Sequence, residues 1–112
     1  MTPHVKEAVR AAQDHKAVEL RVLNLKAVSG FTDYFLICSG TSTRHMQGLA
    51  DAIAEHLEKK ASLSPAHIEG YHEAQWILLD YLDFVVHIFS EQSREFYDLE
   101  RLWKKAEHVK VD

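Results

Sequence analysis

The sequence predicts a small α/β domain in which helices alternate with short strands. Apolar residues recur at helical spacing over residues 5–16 and 46–60, which indicates two amphipathic helices. Runs rich in β-branched and aromatic residues indicate strands at residues 18–25, 33–38, 76–79 and 84–89. A chain of 112 residues is near the usual size of one domain. We therefore predict a single domain spanning residues 1–112, built on a mixed sheet of about five strands.

The elements are predicted in the order α, β, β, α, β, β, β, α. Thr2 and Pro3 form an N-cap and first-turn pair for the first helix. The next two strands are expected to pair as neighbours, because little more than turn material around residues 29–30 separates them. The polar residues 39–43 form a turn that offers several N-caps for the second helix. A short strand around residues 67–69 precedes the last elements.

The last third of the chain is the most informative part. Two apolar runs flank residues 80–83, and after Ser90 the spacing becomes helical, which predicts a β-hairpin followed by one amphipathic helix. The apolar side of that helix is formed by Phe96, Leu99, Leu102 and Trp103.

The first hairpin strand is apolar on both faces. Alternation places Trp76, Leu78 and Asp80 on one face, and Ile77, Leu79 and Tyr81 on the other. A sheet with two apolar faces must be covered on both. In so short a chain, we expect part of this cover to come from another molecule.

Charge and composition exclude several classes of function. Thirteen basic and seventeen acidic residues give a net charge of -4, whereas domains that neutralise a nucleic-acid backbone are usually basic. The charge therefore favours a basic protein as partner, with little direct nucleic-acid contact. No window is long and apolar enough to span a bilayer, and the charged N-terminus lacks the core of a secretory signal. We expect a cytoplasmic protein with no membrane partner, in which Cys38 is buried and inert.

Two parts of the chain resemble the ribosomal silencing factor family, also called RsfS or Iojap. The first is the segment TDYFLICSGTS at residues 32–42, followed by Arg44-His45 and Leu49-Ala50-Asp51. The second contains, in the family's order and approximate spacing, Glu69-Gly70, residues 76–80, Asp83, Val85-Val86-His87, Arg94, Phe96-Tyr97, Leu99-Glu100 and Leu102-Trp103. Leu82 departs from the pattern, since many members have glycine in this hairpin turn, and Lys104 stands where an acidic or small residue is common.

The resemblance implies a fold, a partner and a mode of action. The fold is a nucleotidyltransferase-like α/β domain, and the free protein is usually a homodimer. Members bind large-subunit ribosomal protein fourteen and thereby block joining of the small subunit, which represses translation when nutrients are short. The resemblance also implies that the hairpin and the adjoining helix meet the ribosomal protein.

A nucleotide-binding or nucleotidyltransferase enzyme of the same fold is the main alternative. Such enzymes need paired carboxylates on one strand to hold two metal ions. The strand after the second helix offers only Glu69, and Asp80 and Asp83 are three residues apart across a turn. We therefore expect no catalytic residue and no cofactor. A generic homodimeric scaffold is a third interpretation.

Two further site types are weighed from the sequence. Residues 39–50 contain no Asp or Glu, so an anion such as phosphate could bind at the turn formed by Ser39, Thr41, Ser42 and Arg44. The favoured interpretation is that Thr41 or Ser42 caps the helix. The eight histidines lack the close spacing of zinc ligands, so no metal is expected at His67 with His72 or at His45 with His87. His87 is predicted to be half-buried, with its ring bonded to a neighbour.

Trp76 is the main candidate for contact with a partner. It opens a strand beside the polar Gln75 and shares a face with Leu78 and Asp80, a mixture that is typical of a binding hot spot. The lesser candidates are Asp80, Asp83, Arg94, Tyr97 and Trp103. Asp83 is also compatible with a role in the hairpin turn, and Trp103 with a place in the core.

Overall fold

The computed structural model describes residues 1–111. The elements in chain order are α1 (Pro3–Asp14), β1 (Val18–Asn24), β2 (Tyr34–Gly40), α2 (Thr43–Ala61), β3 (His67–Glu69), β4 (Trp76–Asp80), β5 (Phe84–Ser90), α3 (Glu91–Tyr97), α4 (Leu99–Leu102) and β6 (Glu107–Val109).

All the strands form one mixed sheet in the order β3-β4-β5-β2-β1-β6. Only β2 and β5 are parallel, with Ile37 opposite His87, and the other neighbours are antiparallel. β2 and β5 lie at the centre and are almost entirely buried, as expected for a parallel pair covered on both faces. The predicted pairing of the first two strands and the predicted hairpin are both confirmed.

Two long helices cover one face of the sheet. The α1 helix is capped by Thr2, whose Oγ1 accepts a hydrogen bond of 3.4 Å from Val5 N. Ser42 caps α2 in the same way, accepting from His45 N at 3.0 Å, and Ser62 ends it in the left-handed conformation. The inward stripe of α2, which includes Leu49, Ile53 and Leu57, is fully buried against the sheet.

The other face of the sheet, which we call the open face, carries Phe35, Ile37, Trp76, Leu78, His87 and Phe89. The C-terminal segment packs on it through Leu99, Trp103 and Ala106. Trp76 and Leu78 of β4 remain partly exposed, whereas Ile77 and Leu79 on the helical side are completely buried. The predicted division of β4 into two faces is confirmed, and the face that carries Trp76 and Leu78 is the less completely covered one.

The C-terminal third differs from the prediction in two respects. The prediction of a single amphipathic helix is wrong, because Asp98 adopts a left-handed backbone with φ of 47° and divides this segment into α3 and α4. As a result Leu99 is buried, whereas Phe96 is 81% exposed and Leu102 is 76% exposed. The chain then returns along β1 as β6, so the sheet has six strands rather than about five. This three-residue strand was not predicted from the sequence.

Candidate functional site

A continuous series of rings crosses the open face, and we call it the aromatic band: Phe31, Phe35, Trp76, His87, Tyr97 and Trp103. On the α3 side, ring centroids are 4.9 Å apart for Trp76 and Tyr97, and 5.8 Å apart for Trp76 and His87. Towards α4, Phe35 lies 4.4 Å from His87 and 5.6 Å from Trp103. Phe31 continues the band past Trp103, with 6.0 Å between the two ring centroids. Aromatic pairs at these distances stabilise one another beyond their buried area.

Trp76 lies between Tyr97 and His87 in this band and is held in place by the residues around it. Its ring lies 4.8 Å from that of Phe89, the residue directly opposite on β5. Its indole Nε1 donates a hydrogen bond of 3.0 Å to His87 Nδ1. Gln75, just before it, accepts from Ser90 and Ser93 and ties the start of β4 to the start of α3. Trp76 is therefore an oriented, partly exposed ring rather than a freely rotating one.

His87 is more deeply buried than the sequence predicts, because it is only 4% exposed rather than half-buried. Burial lowers the pKa of His87 from 6.5 to about 3, so the ring is neutral near pH 7. The expected bond from its ring to a neighbour is confirmed by the contact with Trp76. Its second nitrogen, Nε2, has no hydrogen-bond partner among residues 1–111.

Arg94 attaches the C-terminal segment to the sheet. Its Nε lies 3.0 Å from Glu100 Oε1, and the two side chains are only 11% and 28% exposed. The same guanidinium donates to Ser39 Oγ at 3.0 Å and to the carbonyl of Val18 at 3.4 Å. The cation is thus occupied within the chain, where it fixes the position of α4 relative to β1 and β2.

The two aspartates of the hairpin differ in environment. Asp80 is half-buried, and its Oδ1 accepts a hydrogen bond of 2.8 Å from Leu82 N, so this carboxylate closes the turn. Asp83 is exposed, and its backbone carbonyl accepts from Asp33 N at 2.9 Å. Leu82, where many family members have glycine, has a φ of 71°, which is the conformation that glycine adopts without strain. This conformation accounts for glycine being common at the position, and Leu82 adopts it at a cost in backbone strain.

The turn that was considered for anions is largely used for local structure. Ser39 and Gly40 belong to β2, and the Ser39 hydroxyl accepts from Arg94. Thr41 N donates to His45 Nδ1 at 2.9 Å, Ser42 caps α2, and Arg44 is exposed. The adjoining cleft, of about 280 Å³, is also lined by Glu91, whose carboxylate would repel an anion.

Within residues 1–111, no group of three or more His, Cys, Asp or Glu side chains is placed to hold a metal ion. His67 instead pairs with Glu69 at 3.1 Å, and His72 packs against Tyr71. Over the same residues, none of the helices combines the length and the apolar character that crossing a bilayer requires.

Some members of this surface were not identified from the sequence. Phe31 is 66% exposed and packs on Phe35 and Trp103. The ion pair between Arg94 and Glu100 was also missed. Neither has a periodic pattern, and the only hint for Phe31 is its place directly after the turn at residues 29–30.

The sequence of this chain is similar to those of known ribosomal silencing factors. A family model described as "Ribosomal silencing factor during starvation" matches residues 1–112. The ribosomal silencing factor RsfS of Halalkalibacterium halodurans is 41% identical over 108 residues, which cover 94% of this chain and 89% of the relative. The same-named protein of Bacillus subtilis is 35% identical over 108 residues, covering 96% of this chain and 91% of the relative.

The fold is also found among solved structures. A crystal structure of a protein from Bacillus halodurans superposes with a TM-score of 0.84 and 36% identity, over 96% of each chain. Both of these sequence relatives are named as ribosomal silencing factors. On these grounds the chain belongs to the ribosomal silencing factor family.

Proposed function

We propose that this protein represses translation, when nutrients are short, by binding the large ribosomal subunit and excluding the small one. The contact on the subunit is large-subunit ribosomal protein fourteen, as the family resemblance implies. The observation that carries the proposal is the incomplete cover of the open face, where the aromatic band lies partly in solvent. Steric exclusion needs only a stable contact, so no catalytic group is required.

The exposed rings of the aromatic band would be stabilised if a partner removed them from water. Contiguous exposed apolar patches on small soluble domains mark sites of interaction with other molecules. Trp76 is restrained by its neighbours before binding, which reduces the entropy lost when a partner packs on it. Aromatic side chains with this degree of restraint are typical hot spots.

The remaining candidates take different roles in the proposal. We infer that Tyr97, beside Trp76, and Trp103, further along the aromatic band beyond Phe35, extend the direct contact. Asp80 and Asp83 lie towards the hairpin turn, where their charge suits a basic partner. Arg94 acts by positioning, since its guanidinium is bound within the chain.

We also propose that the free protein is a homodimer and that it acts in the cytoplasm. Exposed apolar side chains such as Phe96 and Leu102 support self-association. The bacterial relatives named for ribosome silencing support the cytoplasmic location. Light scattering coupled to size-exclusion chromatography measures the oligomeric state, and cell fractionation measures the location. With a net charge of -4, we expect little direct contact with RNA.

Trp76→Ala tests the proposal most directly. Loss of an aromatic anchor costs on the order of 2 kcal/mol or more, which is at least about a thirtyfold loss of affinity. In sucrose gradients the parent should sediment with free large subunits and not with joined ribosomes. The variant should be depleted from the large-subunit fraction and should lose its inhibition of subunit joining in a purified translation system.

A matched control separates recognition from folding. Ile68→Ala removes an exposed apolar side chain from the helical side of the sheet, and it should bind normally. Circular dichroism melts of both variants must show folded protein. A folded Trp76→Ala protein that binds and inhibits like the parent would place the interface elsewhere.

A further inference from the structure

We propose that His87 is a positioning residue that orients the Trp76 indole and, by accepting its N–H, leaves Trp76 only an apolar ring to offer to a partner. The inference rests on the proposed function, because it takes Trp76 as a contact of the open face. It adds to that function the residue that prepares the contact and the chemistry of the surface that can meet it.

The geometry defines a specific pair rather than general packing. Trp76 lies opposite Phe89, and His87 lies opposite Leu78, so the two side chains are diagonal neighbours on adjacent strands. At 3.0 Å from Nε1 to Nδ1, the contact has the length of a good hydrogen bond. The hydrogen bond fixes the rotation of the indole, which ring packing against Phe89 alone would leave less restricted.

The chemistry of the bond requires one form of histidine. An indole N–H only donates, so Nδ1 must hold a lone pair and the ring proton must lie on Nε2. Protonating Nδ1 would set two donors against each other. Burial of the ring, beside Phe35 at 4.4 Å, disfavours the charged form as well. A neutral acceptor is therefore available to Trp76 under ordinary conditions.

A consequence follows for the partner. The indole nitrogen is the single polar atom of a tryptophan side chain, and here it is satisfied within the chain. A hydrogen-bond acceptor on the partner would gain nothing at this point. The group that covers Trp76 should therefore be apolar, such as an aliphatic side chain or the methylene stem of an arginine or lysine.

The first test measures the indole directly and needs no ribosome. The Trp76 indole resonance in a ¹⁵N-labelled sample is assigned by its loss in Trp76→Phe. In His87→Phe the indole N–H should exchange with solvent about tenfold faster, because its acceptor is gone. His87→Asn places a carbonyl acceptor near the position of Nδ1 and should restore slow exchange. Unchanged exchange in a folded His87→Phe protein would overturn the positioning role.

The second test measures coupling in binding to purified large subunits. Loss of one hydrogen bond of this type corresponds to about a fivefold increase in Kd for His87→Phe, with His87→Asn within about twofold of the parent. In a Trp76→Phe background, which has no N–H to accept, His87→Phe should have no further effect. An equal loss in both backgrounds would mean that His87 acts only through general stability.

The controls distinguish failure of this inference from failure of the proposed function. Ile53→Val removes one buried methyl group on the helical side and should lower the melting temperature without changing Kd. If Trp76→Ala binds normally, the partner surface has been misassigned. If Trp76→Ala fails to bind but the fivefold effect of His87→Phe is absent, the surface is correct and the positioning role is wrong.

Discussion

Acid should destabilise this protein through His87, which is buried as the neutral base. Its pKa is about 3 in the folded chain, compared with 6.5 for an ordinary histidine. The unfolded chain therefore binds a proton more readily than the folded chain does between these two values. Stability is complete above about pH 6.5 and is lost progressively as the pH falls towards 3.

The expected loss follows from that difference. At pH 5 an unfolded histidine is mostly protonated, whereas the folded one is not, and linkage gives a loss of about 2 kcal/mol relative to neutral pH. This is a large share of the stability of a small domain. The full loss of stability from His87 is reached only below about pH 3, where the carboxylates of the chain also titrate.

The assay is urea unfolding followed by circular dichroism at pH 7.5 and pH 5.0. The parent should lose about 2 kcal/mol more than His87→Asn between the two conditions, because all other groups titrate alike in both proteins. His108→Asn, which changes an exposed histidine, should lose as much as the parent. If His87→Asn and the parent lose the same amount, protonation of His87 is not coupled to folding as described. His87→Phe provides a second non-titrating variant should His87→Asn fold poorly.

Three further predictions concern the turn, the C-terminal segment and catalysis. Leu82→Gly should raise the free energy of unfolding by about 0.5–1 kcal/mol, because relief of the left-handed backbone strain exceeds the entropy that glycine adds to the unfolded chain. Leu82→Ala should bring no such gain. A lower melting temperature for Leu82→Gly would contradict the presence of strain at this residue. Arg94→Ala should lower the free energy of unfolding by about 3 kcal/mol and change the near-ultraviolet circular dichroism spectrum. Arg101→Ala, which removes an exposed cation nearby, should change the free energy of unfolding by less than about 0.5 kcal/mol. Nucleotides with magnesium should neither turn over nor shift the melting temperature, and turnover that is lost in Asp80→Asn would establish an enzyme.

The sequence alone predicted most of the scaffold. The two long helices and the hairpin follow from local periodicity, and Ile53 lies on the buried face that the spacing of α2 requires. Alternation along β4 also predicted that Trp76 and Leu78 would share one face, with Ile77 and Leu79 on the other. These features are local, because each depends on residues within one or two turns or strands.

Only the tertiary structure decided how the candidate site is built. The break at Asp98, which separates exposed Phe96 from buried Leu99, depends on packing of the C-terminal segment and not on its apolar spacing. Arg94 was expected at the partner surface, yet its guanidinium bonds to Glu100 and to groups on β1 and β2. The Trp76–His87 bond likewise joins two strands. Such pairings depend on distances between elements, and periodicity within one element carries no information about them.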